Sequence, residues 1–385
     1  MFIPLQIFSL PLLLITLFLF LTVVAKWMSS KLGGRILRMP PGPWKLPIIG
    51  NLHQLIGVSM YHHKFTNLAK RHGPIVHLQI CEISAVLISS PELAEHVLRT
   101  NELNFAQRPQ LLDEDIIPYK GSSLIFSPYN DYWKHIRRIT MSDLLGAKRI
   151  QTFKFVREAE VRNLVETIYG SSANVSINLS DQFYTLSNNI ITRSVIGNKS
   201  NYQEEFRNVL DEMTRLTGNV GVHDLFPSLK VLHFVTWKRV ALRRVFKRLD
   251  KILDAIIDEH KAVNPSRSEE KDLLDLLLNV YGSNDSSSGL TIDNIKNYVL
   301  DVFAGGSRRI CPGESFALVF IRLALFQLLF HFDWKLPNGV NPLELDMSES
   351  YDITTRRKID LYAVAMPVHG TGMTNSSASY KHAST

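Results

Sequence analysis

The sequence predicts a mainly α fold with small β-sheets, preceded by one membrane-spanning helix. Three observations predict it. In residues 236–261, Val245, Phe246, Leu249, Ile252, Leu253, Ile256 and Ile257 follow the 3.6-residue period of an amphipathic helix. Residues 75–80 and 85–88 are β-rich runs around turn-like residues, the pattern of a hairpin. Residues 2–25 carry no charge, and 17 of the 24 are Leu, Ile, Phe or Val. As a helix this run spans about 36 Å, enough to cross a hydrocarbon core of about 30 Å.

The leading run reads as an anchor rather than a cleaved signal peptide, because no basic region precedes it and it is too long. Lys26, Lys31, Arg35 and Arg38 follow it and place the rest of the chain on the cytosolic side. Residues 26–55 form a basic, proline-rich hinge, in which Pro40, Pro41 and Pro43 fix a stiff extended segment. Residues 56–367 are the folded body, and residues 368–385 a polar tail without periodicity.

Within the body, helices are expected over residues 61–72, 91–100, 148–168, 179–195, 202–216, 272–280, 291–303 and 314–332, with terminal β segments at 353–355 and 359–365. Another helix starts in the turn at Ser127–Asp131, where Asx-type caps are available. Thr291 is positioned to cap the helix that follows it.

Composition excludes several classes. At 45% hydrophobic and 21% charged residues, the 385-residue chain is globular rather than disordered. A net charge of +7 suits an anionic membrane face or an acidic protein; no nucleic-acid motif accompanies it, so no nucleic-acid partner is expected. The two cysteines, Cys81 and Cys311, are far apart, which rules out a disulfide framework and a Cys-x-x-Cys zinc site.

Cys311 carries the chemistry. It sits in Arg308-Arg309-Ile310-Cys311-Pro312-Gly313, directly before a long apolar helix. Positive neighbours and backbone N–H groups stabilise a thiolate, the ligand form of cysteine. Gly313 allows close approach of a flat ring to the backbone. From these six residues alone, a buried structural cysteine beside two surface arginines reads equally well. Trp133 and Arg137, spaced i and i+4, share a helix face and could clamp a carboxylate; a surface arginine packed on a tryptophan is the plainer reading.

Residues 308–318 and 332–337 resemble the haem-binding loop and following helix of the cytochromes P450, most closely the plant microsomal, terpenoid-oxidising branch. The resemblance implies an incomplete P450-like fold and a monooxygenase that inserts one atom of O2 into a small lipophilic substrate. The cofactor implied is heme b, with Cys311 as axial iron ligand and Trp133, Arg137, Arg309 and Gly313 as its other contacts. Ile116, Ile117, Phe126 and Ile353 are implied substrate-pocket residues. NADPH-cytochrome P450 reductase and membrane lipid are the implied partners, and the endoplasmic reticulum membrane is the implied location.

The resemblance breaks at one point. Ala304-Gly305-Gly306 resembles the start of the family's oxygen-activation turn, but Ser307-Arg308 follows and neither the acid nor the threonine appears. The Glu-x-x-Arg helix and Pro-x-Arg-Phe segment are also missing, so no catalytic residue is identified. An internal deletion near Ala304/Gly305 is expected, and the alternative function is a catalytically inactive product with residual haem binding.

Overall fold

The computed structural model describes residues 39–57, 60–108, 123–171, 175–197, 202–217, 221–229, 237–262, 271–282, 290–304, 313–351 and 355–368. The expected anchor at residues 2–25 and the tail beyond 368 lie outside these residues. The chain divides into two units, one of residues 1–102 with 220–236, the other of residues 103–219 with 237–385.

The first unit is built on the expected hairpin. Helix α1 (Tyr61–His72) ends at Gly73, whose φ of 101° is open to glycine and whose N–H reaches Ala69 O. Strands β1 (Ile75–Ile80) and β2 (Ile83–Ile88) pair antiparallel, and Val76 and Leu78 bury their side chains with Leu68 of α1. Helix α2 (Pro91–Glu95) takes Pro at its first turn and a Ser90 cap on Leu93 N, and one π turn extends it to Thr100.

The proline-rich segment is fastened to β1. His77 N donates to Pro41 O at 2.9 Å, and Asn51 Nδ2 donates to Trp44 O at 2.9 Å. A Cβ on Gly42 would meet His77 O at 2.1 Å, so only glycine permits this approach. His77 is buried, with Nδ1 2.8 Å from Lys45 Nζ and Nε2 2.9 Å from Ser84 Oγ. Burial, then the Lys45 charge, pushes its pKa down.

The second unit is mainly helical. Its helices are α3 (Asp131–Ile139), α4 (Ala147–Thr152), α5 (Lys154–Gly170), α6 (Leu179–Ile196), α7 (Gln203–Thr217), α8 (Trp237–Ala262), α9 (Leu273–Gly282), α10 (Ile292–Ala304) and α11 (Glu314–His331). The single helix expected over 148–168 is two, broken at Phe153. Strands β3 (Ser176–Asn178), β7 (Tyr362–Pro367) and β4 (Phe332–Lys335) form a three-stranded sheet in that order; β5 (Glu349–Tyr351) pairs with β6 (Thr355–Arg357).

Two cores hold this unit. The predicted stripe of α8 packs with Phe206 and Val209 of α7, Leu273, Leu274 and Leu277 of α9, and Ile295, Tyr298 and Val299 of α10. Val161, Leu164 and Val165 of α5 pack with Ile190 of α6, Phe320, Ala324 and Leu328 of α11, and Phe332. Among the described residues, α11 is the helix long and apolar enough to cross a membrane. It packs instead as a core helix on one side, while Leu318, Ile321, Leu325, Phe326, Leu329 and Phe330 on other sides are 41–70% exposed.

Candidate functional site

The site begins where residues 123–130 turn into α3. Asn130 Oδ1 caps the helix by accepting from Trp133 N at 2.8 Å, as the Asx reading expected. The Trp133 side chain is only 3% exposed. Arg137 lies one turn on, its guanidinium carbon 5.2 Å from the indole centroid, which confirms the shared face. The indole N–H is already engaged: Nε1 donates to Leu124 O at 2.9 Å. In this geometry the tryptophan offers Arg137 its ring and uses its donor to hold the turn.

Helix α10 meets the same turn from the other side. Asp301 is 7% exposed, and its carboxylate accepts from Ser123 Oγ at 2.7 Å and Leu124 N at 2.5 Å. Ser123 Oγ in turn accepts from Ile125 N at 3.1 Å and Phe126 N at 3.0 Å. Burial pushes the Asp301 pKa up to about 7, against the pull of hydrogen bonds from Ser123, Leu124 and Ile125. Tyr132 is half-buried; desolvation first, then the Asp301 charge, pushes its pKa up to about 12.

The third element is the start of α11. Gly313 stands at its N-cap position with no side-chain cap. The first-turn N–H groups of this 18-residue helix therefore have no side-chain cap from Gly313; in sequence, Cys311 stands two residues before it. Arg157 supports this end from α5. It is 2% exposed, donates to Ile150 O at 2.7 Å and places its guanidinium carbon 5.6 Å from the Phe316 ring centroid.

Of the residues singled out in the sequence, Trp133, Arg137, Gly313 and Phe126 are described; Phe126 is 38% exposed at the end of the Asp301-bound turn. Cys311, Arg309, Ile116, Ile117 and Ile353 lie outside the described residues. Sequence reading passed over Asp301. Its signal was an acid set among Val299, Leu300, Val302 and Phe303, where an apolar stripe has no room for an unpartnered charge. It also passed over Arg108, whose Nε and Nη2 are buried. Gln107 beside it accepts from Tyr129 N at 3.2 Å, which ties the segment to the start of α3.

An arginine laid on a buried tryptophan, and a cysteine just ahead of an uncapped helix N-terminus, suit a protein that holds an anionic cofactor beside a thiolate. The family profile described as Cytochrome P450 matches residues 40–308, and the chain belongs to that family. It is a family of haem monooxygenases whose iron is ligated by a cysteine thiolate. A melianol synthase of Ailanthus altissima is 33% identical over 93% of this chain and 95% of its own length. A premnaspirodiene oxygenase of Hyoscyamus muticus is 29% identical over 92% of this chain and 98% of its own length. A zebrafish cytochrome P450 solved with progesterone shares the fold with a TM-score of 0.50 at 22% identity, over 64% of this chain and 56% of that one.

The alignment to the melianol synthase runs over 495 positions, whereas 93% of 385 residues is about 358. About 137 positions, the difference between 495 and 358, therefore face no residue of this chain.

Proposed function

We propose that the chain is a haem-thiolate monooxygenase of the plant microsomal type, inserting one oxygen atom from O2 into a small lipophilic substrate of terpenoid class. The observation that carries this is the uncapped N-terminus of α11 immediately after Cys311. An 18-residue helix presents partial positive charge and free N–H donors to an anion at that end. A thiolate in that position is stabilised as a ligand.

The residues fit the cofactor the family uses. Cys311 would hold the iron of heme b, Gly313 would leave room for the ring, and Arg137 and Arg309 would neutralise its propionates. Trp133 packs its ring against Arg137, and its N–H would reach a propionate only by leaving Leu124 O. When bound, the group supplies O2 activation; the chain orients it and excludes water. Ile116, Ile117, Phe126 and Ile353 line the substrate side. Residues 2–25 anchor the chain in the endoplasmic reticulum membrane with the body in the cytosol. There NADPH-cytochrome P450 reductase supplies electrons.

The test is the absorption spectrum of the purified, reduced, CO-treated chain. A thiolate-type band that Cys311→Ser abolishes supports the assignment; a spectrum unchanged by Cys311→Ser overturns it.

A second reading is favoured by the roughly 137 unmatched positions. A deletion at Ala304/Gly305 removes the helix that continues α10 and the acid–alcohol pair that would deliver protons. On this reading the chain is an inactive product of splicing, of a pseudogene or of a misassembled gene, binding haem at most. NADPH-dependent product formation with reductase would rule it out. Sequencing transcript and gene across the join separates the three origins.

A further inference from the structure

Lys45 and His77 are a pair of basic groups that none of the proposed haem contacts uses. Lys45 Nζ lies 2.8 Å from His77 Nδ1, and His77 Nε2 lies 2.9 Å from Ser84 Oγ. An ammonium has only N–H donors, so the ring meets it with the Nδ1 lone pair and turns its own Nε2–H to Ser84 Oγ. His77 is buried, whereas Lys45 is open to solvent with its Nζ end against the ring. Partial burial lowers the pKa of Lys45, and no acid offsets it among the described residues. Burial, then the Lys45 charge, lowers that of His77.

This sets Lys45 apart from the lysines that acids hold. Lys134 is raised by the hydrogen bond and then the charge of Asp131. Burial would lower Lys296, but its hydrogen bonds to Asp250 and Asp254 outweigh that and raise it. An amine held by an acid stays an ammonium, which has no lone pair to share. An amine pushed toward its neutral form against a neutral imidazole is a nucleophile with a proton acceptor already in place.

We propose that Lys45 is a carbonyl-capturing site for small aldehydes, with His77 as its proton shuttle. The neutral amine nitrogen adds to the aldehyde carbon: a C–N bond forms and the π pair of the carbonyl moves to its oxygen. His77 Nδ1 takes the proton from the now cationic nitrogen and returns it to that oxygen, giving a carbinolamine. The second amine proton follows the same route, the oxygen leaves as water, and an imine remains. Both amine protons depart on the water, so no oxidant or further reactant is consumed. Ser84 Oγ, accepting from Nε2–H, steadies the ring while it carries the proton. The site uses no residue assigned to haem or substrate, and it stands or falls independently of the monooxygenase reading.

The test is to incubate the full chain at neutral pH with propanal and cyanoborohydride, which reduces each imine to a stable amine. Peptide mass spectrometry then gives the initial rate at each lysine. A positioned acid–base group contributes about 100-fold or more, so Lys45 should react on the order of 100 times faster than the exposed Lys247 and Lys251 of α8 in the same sample. His77→Gln keeps an acceptor but cannot carry the proton, and should bring Lys45 down to their rate. A Lys45 rate no higher than theirs in the unmodified chain overturns the proposal, whether or not His77→Gln folds. An unchanged Lys45 rate in folded His77→Gln overturns it as well.

Discussion

The indole N–H of Trp133 donates to the backbone oxygen of Leu124 at 2.9 Å, so the residue that supports Arg137 also fixes the turn that Asp301 holds from the opposite side. One tryptophan thereby couples the Arg137 face of α3 to the turn 123–126.

Trp133→Phe tests that coupling. The ring keeps most of its packing against Arg137, but the buried Leu124 carbonyl loses its donor. An orphaned buried acceptor costs about 1–3 kcal/mol. The urea-unfolding midpoint should fall accordingly, and exchange at residues 124–126 should rise at every pH. A variant as stable as the parent would mean that Leu124 O finds water instead.

The cluster on α5 and α6 bears on stability alone. Glu160 is 7% exposed and pairs with Arg193, and Asn189 Nδ2 donates to its other oxygen at 3.1 Å. Removing one partner of a buried pair leaves the other charge uncompensated, at about 3–5 kcal/mol. Glu160→Ala should lose that much in denaturant unfolding, and Glu160→Gln, which keeps a hydrogen-bonding oxygen, distinctly less.

Much of this fold was legible because it is written in periodicity. The stripe of α8, the Thr291 cap on Asn294 N and the Asn130 cap all stand where the sequence places them. Short strands were not legible. Ser176–Asn178 and Phe332–Lys335 are strands because β7 offers both its edges to them, a long-range fact absent from three- and four-residue windows. At the site, the Trp133–Arg137 face followed from i, i+4 spacing. The role of Asp301 did not, since its partners lie 177 and 178 residues away.

A pH effect is expected at His260. Burial alone would lower its pKa, but the hydrogen bond and charge of Asp272, the Ile256 carbonyl and Asp275 outweigh that and raise it. The contact, Nε2 to Asp272 Oδ2 at 3.0 Å, links α8 to the start of α9. A raised histidine pKa means that the folded state holds the proton more tightly. The stabilisation is therefore complete below the ordinary value of 6.5 and is lost as pH rises through the folded value. Asp272→Asn preserves the cap on Asp275 N while removing the charge. The stability difference between parent and variant should be largest near pH 6 and shrink at higher pH, as read by thermal unfolding at matched ionic strength.

Helix α11 leaves much of its apolar surface uncovered among the described residues. Phe326 and Leu329 are 62% and 70% exposed, and Leu325 and Leu329 help line an apolar cleft of about 600 Å³ with Leu179, Phe183, Trp334 and Val340. A helix apolar on all sides is normally covered on all sides. Exposed stripes of this kind drive self-association. Phe326→Asp with Leu329→Asp removes apolar surface that the fold does not bury, so the double variant should unfold within about 0.5 kcal/mol of the parent. Light scattering at equal concentration and low detergent should show less self-association. A loss of several kcal/mol instead would mean that this face is already covered within the chain.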